Sequence, residues 1–175
     1  MAVLHIKTEE IRTRAAEIHA RDEVYLTGVI YTARDAAHKK LCAMLENGEK
    51  LPFELDGATI YFAGPTPERP GQIIGSCGPT TSSRMDAFSP VLLDAGLVAM
   101  IGKGGRSGAV TDAIVRNQGV YFCAIGGAGA LAAKCVTSLE VIAFPELGCE
   151  SVKRLTVEEF PVYCAIDCHG GTMFA

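Results

Sequence analysis

The chain has 175 residues, 16 basic against 20 acidic, and a formal net charge of −4. A mildly acidic chain without a basic tract is a poor nucleic-acid binder. Its best apolar stretch, Pro90 to Ile101, is interrupted by Asp94 and falls short of the ~18 residues a membrane helix needs.

Apolar residues reach 49% and the mean hydropathy is +0.23, yet Trp is absent. The core is therefore expected from Ala, Val, Ile and Leu. The start, MAVLHIKTEE, has no basic head and no long apolar run, so it does not read as a signal peptide. Seven cysteines without a leader read as reduced thiols in the cytoplasm, not as a disulfide framework.

In chain order, Val3–Ile6 reads as a strand, and a helix is expected from Thr8 to His19. Glu23–Tyr31 is rich in β-branched and aromatic residues and reads as a strand. Ala33–Leu45 has apolar residues at Ala37, Leu41 and Leu45, the spacing of an amphipathic helix, and Asn47-Gly48 ends it. Ala58–Phe62 and Gln72–Ser76 are expected strands around a proline-rich loop, followed by a helix from Thr80 to Asp94. The strand Leu97–Ile101, the helix Ser107–Gln118, the strand Val120–Ile125 and a helix from Gly129 to Val136 come next. Leu139–Phe144 and Val157–Ile166 supply late strands. The alternation predicts one α/β domain over residues 1–175, with a mixed, largely parallel central sheet flanked by helices.

Ligands in such sheets sit at the carboxyl ends of strands, where three loops combine glycine with polar residues. In Gly78-Pro79-Thr80-Thr81-Ser82-Ser83-Arg84-Met85-Asp86, hydroxyl residues and a proline suit a helix start. Free N–H groups there make an anion site, and Thr80 and Arg84 share a helix face. A capped helix with a surface arginine is the plainer reading. Ile101-Gly102-Lys103-Gly104-Gly105-Arg106-Ser107-Gly108 sets a lysine among glycines that let backbone approach a ligand. It matches neither a P-loop nor G-x-G-x-x-G. Gly127-Ala128-Gly129-Ala130-Leu131-Ala132 does match the dinucleotide fingerprint G-x-G-x-x-A, but so late in the chain it reads as tight helix–strand packing, with cofactor binding as the alternative. Arg34 and His38, four apart beside Asp35, can face one site on a helix. Cys164, Cys168 and His169 have no recognised zinc spacing. Together the residues point to an anionic small-molecule site lined by Arg34, Thr80, Arg84 and Lys103. Patterning alone leaves open whether a dicarboxylate or a phosphate binds there. A non-catalytic small-anion or nucleotide-binding module is the rival from another class.

Three motifs, TARDAAH (32–38), GPTTSSRMD (78–86) and IGKGG (101–105), follow one another at these spacings. Together they resemble the beta subunit, or C-terminal domain, of class I iron–sulfur fumarate hydratases and L-tartrate dehydratases, over nearly the whole chain. With Met1 at its head, the chain looks like the two-subunit form. The resemblance implies a swivelling β/β/α domain and a hydro-lyase that hydrates fumarate to (S)-malate, a tricarboxylic acid cycle reaction, with L-tartrate dehydration as the alternative. It further implies a hetero-oligomer, such as a dimer of heterodimers, whose alpha subunit carries a 4Fe–4S cluster on its own cysteines. Arg34, Arg84 and Lys103 would hold substrate carboxylates. Thr80 would be the candidate base, with Thr81 in reserve and Lys103 also catalytic. No cofactor or metal ligand is expected in this chain.

Overall fold

The computed structural model describes residues 1–124 and 129–174. Seven strands make one mixed sheet: β1 (Val3–Lys7), β2 (Glu23–Thr32), β3 (Thr59–Tyr61), β4 (Ala99–Gly102), β5 (Val120–Ala124), β6 (Val136–Ala143) and β7 (Val152–Ile166). The first five pair in parallel, in the order β1-β2-β3-β4-β5. β7 runs antiparallel to β5, to β6 and, along nearly all of its length, to β2. That last pairing returns the ladder to β2, so β2, β3, β4, β5 and β7 close on themselves. Closure leaves these strands without a free edge.

Alternation along the strands divides the apolar side chains between two cores. Tyr61, Ile101 and Phe122 join Leu26, Ile30, Leu155 and Phe160 in one. Ile60, Phe62, Met100 and Tyr121 join the other, under the helices. These helices are α2 (Asp35–Glu46), α3 (Ser89–Asp94) and α4 (Gly108–Arg116), reached after a short α1 (Ile11–Arg14). Leu41, Leu92, Val110 and Ile114 are their buried contacts. A fifth helix, α5 (Gly129–Lys134), precedes β6. No helix among the described residues is long and apolar enough to cross a membrane.

Three expected elements differ in kind, while β7 begins at Val152 instead of Val157 and Val136 opens β6 instead of ending α5. The helix over Thr8–His19 is instead two 3₁₀ turns around α1, because Ile18 turns extended (φ −95°, ψ 124°) and enters the core. Gln72–Ser76 forms no strand. Its Ser76 N–H goes to Thr66 Oγ1, and Gly75 N–H to the Thr66 carbonyl, so the proline-rich loop clasps itself. The helix expected over Thr80–Asp94 breaks in two, a 3₁₀ turn Ser82–Met85 and then α3. Pro90 cannot sit inside a helix but suits the first turn of a new one.

Candidate functional site

β2, β3 and β4 are parallel, so the segments leaving their carboxyl ends share one rim of the sheet. Arg34 follows β2, the 78–86 segment follows β3, and Lys103 follows β4. Arg34 is the residue before α2, held extended at φ −116° and ψ −156°.

Thr81 is extended, and the turn begins only at Ser82. Thr80 N–H donates to the Phe62 carbonyl at 2.7 Å, and Ser82 N–H to the Lys103 carbonyl at 3.0 Å. Thr81 pairs in parallel with Lys103 as a single bridge beyond β4. The backbone donors at Thr80 and Ser82, expected to bind an anion at a helix start, are thus spent on the sheet rim. A Cβ at Gly102 would stand 1.8 Å from Ser82 Oγ and 2.8 Å from Phe62 Cδ2. Only glycine lets the two segments approach this closely. Beneath the bridge, Lys103 N–H donates to Ser82 Oγ at 2.9 Å, and Tyr121 Oη lies 2.9 Å from Ser82 Oγ and 2.7 Å from the Gly104 carbonyl. The carbonyl can only accept, so Tyr121 donates to it and Ser82 donates to Tyr121.

Side chains do the rest. Arg84 Nη2 donates to Thr80 Oγ1 at 2.6 Å. Its Nε and Nη2 also grip Asp35, at 3.0 Å to Oδ1 and 3.3 Å to Oδ2. Asp35 Oδ2 in turn lies 3.4 Å from Arg34 Nη2. Although partial burial opposes it, the Asp35 carboxyl is held below the usual carboxylate range by its own backbone N–H and by Arg84 and Arg34. Arg34 Nε is buried and makes no hydrogen bond among the described residues, with Glu150 Oε1 3.7 Å away. Lys103 and Arg84 are exposed. No ion pair involves Lys103 among the described residues. Two grooves, of about 540 and 380 Å³, lie elsewhere and are not lined by these residues. Arg84 and Lys103 therefore offer their charges to solvent, while Arg34 is half-buried.

The structure thus brings Arg34, Thr80, Thr81, Arg84 and Lys103 into one neighbourhood. Thr80 and Arg84 meet through a hydrogen bond rather than on a helix face. His38 does not face the site with Arg34. It is fully buried, with Nδ1 2.8 Å from the Arg34 carbonyl and its ring against Phe62 and Phe88. Burial pushes its pKa down to about 4. The fingerprint residues Gly127 and Ala128 lie outside the described residues. Gly129 packs beside Ser76 and Gly78, and its carbonyl accepts from Cys77 N–H at 3.1 Å. All seven cysteines are free thiols. No group of three or more His, Cys, Asp or Glu side chains that could hold a metal occurs among the described residues. Sequence reasoning passed over Arg106, whose side chain is fully buried against Asp86. A lone arginine in a glycine loop gives no periodicity to read.

Fold and site define an α/β protein with cations and a hydroxyl gathered at the carboxyl rim of its parallel strands, chemistry suited to a carboxylate or phosphate. A family model described as Fumarase C-terminus matches residues 1–175, and the chain belongs to that family. It is 37% identical over 169 residues to fumarate hydratase 2 of Leishmania major, covering 95% of this chain and 30% of that protein. Identity to the anaerobic class I fumarate hydratase of Escherichia coli K12 is 38% over 168 residues, covering 95% and 31%. To the L(+)-tartrate dehydratase subunit beta of the same strain it is 33% over 175 residues, covering 97% and 84%. The chain thus spans about a third of the fumarate hydratases it matches, and most of the tartrate dehydratase subunit.

Proposed function

We propose that the chain is the beta subunit of an iron–sulfur hydro-lyase that interconverts fumarate and (S)-malate in the cytoplasm, as a step of the tricarboxylic acid cycle. In this reading residues 1–175 form a single swivelling β/β/α domain, docked on an alpha subunit in a hetero-oligomer. The observation that carries it is the continuous array Arg34–Asp35–Arg84–Thr80, with Lys103 joined to it through Thr81.

Dehydration breaks a C–H bond next to one carboxylate and a C–O bond on the neighbouring carbon, and the electron pair forms the C=C bond. As the proton leaves, negative charge builds on the adjacent carboxylate. Fixed cations aimed there stabilise the transition state more than the ground state. Arg34, Arg84 and Lys103 take this role as charges; the Nε and Nη2 edge of Arg84 is already held by Asp35 and Thr80. Thr80 takes the proton. The charged donor from Arg84 into its Oγ1 favours the alkoxide form. Thr81, paired with Lys103, binds beside it. Among the described residues no carboxylate or imidazole hydrogen-bonds Thr80, so the acceptor of its own proton is assigned to the partner. A 4Fe–4S cluster on that partner would supply the Lewis acid for the departing hydroxide.

The test is anaerobic assay of the chain co-produced with a cluster-bearing subunit. Lys103→Ala and Arg84→Met should each lower turnover by about 10² to 10³, the range for removing one transition-state donor, with the fold intact by circular dichroism. Near-normal rates in either variant refute the site. Full activity of the chain alone, without iron, refutes the divided enzyme. Rates on malate and L-tartrate decide between the two substrates. Stabilisation by dinucleotides and not by dicarboxylates in a thermal-shift screen would favour a nucleotide-binding module instead.

A further inference from the structure

The Arg106 side chain is fully buried. Its Nε donates to Asp86 Oδ1 at 2.7 Å and its Nη2 to Ser89 Oγ at 2.6 Å. The guanidinium carbon lies 5.2 Å from the Phe62 ring centre and 4.8 Å from that of Tyr121. The other Asp86 oxygen accepts from Ser107 N–H at 2.9 Å. Two successive residues of the glycine loop thus grip both oxygens of one carboxylate.

The placement of that carboxylate gives the grip its meaning. Asp86 lies two residues beyond Arg84, and Arg106 three beyond Lys103. The pair therefore ties the segment carrying Thr80 and Arg84 to the segment carrying Lys103. Its two aromatic neighbours already serve those segments: the Phe62 carbonyl holds Thr80 N–H, and Tyr121 Oη holds the Gly104 carbonyl. Stability alone is a poor reason for such a charge. Burying an ion costs several kcal/mol, and well-packed apolar replacements of buried pairs are often neutral or stabilising.

We infer that Arg106 is a positioning residue that, with Asp86, sets where the Lys103 ammonium stands relative to Thr80 and Arg84. It acts through Lys103 and touches no substrate itself. The inference rests on the hydro-lyase reading above and deepens it.

A double-mutant cycle separates positioning from plain structural support. It uses the assembled two-subunit enzyme, with malate as substrate. Arg106→Met should lower kcat/KM at least tenfold in the wild-type background and less than twofold in the Lys103→Ala background, since a misplaced lysine matters only while the lysine is there. Arg106→Lys, which keeps the charge but cannot reach Asp86 and Ser89 as a fork, goes through the same cycle if Arg106→Met does not fold. Equal fold losses in both backgrounds overturn the inference, as does a wild-type kcat/KM in the Arg106 variant. A fast Lys103→Ala enzyme overturns the site reading, and the inference with it. A slow Lys103→Ala enzyme with additive losses overturns the inference alone.

Discussion

His38 makes a sharp test of how dry the ground beneath the site is. Both its backbone N–H and its Nδ1 lie within hydrogen-bond distance of the Arg34 carbonyl, at 2.9 and 2.8 Å. A carbonyl only accepts, so Nδ1 carries the proton, and Nε2 is left buried with no partner among the described residues. Protonating Nε2 would bury both a charge and an unpaired donor. Burial is the main cause of the fall to about 4 from an ordinary 6.5; the nearby Arg106 charge adds to it, while the Arg34 carbonyl and Asp35 oppose it. A pKa lower in the folded state means that the unfolded chain binds the extra proton first. Stability is then present above pH 6.5 and is lost as pH falls towards 4. From the two values, the loss between pH 7 and pH 4.5 is on the order of 2 kcal/mol. The perturbation is His38→Asn, which keeps a donor near the Nδ1 position and cannot titrate. It loses the ring contacts at every pH, but it should lack this slope. Urea denaturation midpoints at pH 7.0, 5.5 and 4.5 read the difference. If wild type and variant lose the same stability over that window, the imidazole is not held neutral in a dry core, and the reasoning fails.

Other outcomes follow from the same geometry. Gly102→Ala places a methyl group against Ser82 Oγ and the Phe62 ring, so it should separate the two site segments. The expected cost is about 1–3 kcal/mol, as for overpacking, with a lower urea midpoint; an unchanged midpoint refutes the close approach. Among the thiols, burial pushes Cys77 up to about 12 and also raises Cys164, whereas Cys149 is exposed. Alkylation of native protein near neutral pH, followed by mass spectrometry, should mark Cys149 first and reach Cys77 and Cys164 only after unfolding. Rapid native labelling of Cys77 would contradict its burial.

Elements with a strong local pattern were legible. β4 and β5 are apolar runs between glycines, and α2 and α4 carry helical spacing with clear stops at Asn47-Gly48 and Gln118-Gly119. The parallel run β1 to β5 followed from their alternation. Its closure did not, because it depends on β7, whose fifteen residues pair with β2 on one edge and are shared by β6 and β5 on the other. Nothing local in a strand states which partners it will find. The Thr80 segment was misread for a related reason. Its capping chemistry favours a helix, yet bonds to Phe62 and Lys103 satisfy its backbone as extended chain.

The site divides in the same way. Arg34, Thr80, Arg84 and Lys103 were candidates from residue type and glycine context alone, and three spaced motifs tied them to one family. Chemical identity is a property of the chain and survives unfolding. Which charges are paired, and which are left for a ligand, is not. Arg84 meets Asp35 across 49 positions and Arg106 meets Asp86 across 20. His38 loses its ordinary basicity only when Phe62 and Phe88 close over it. Coulomb energies and desolvation depend on distance and surroundings, and only the folded chain sets those.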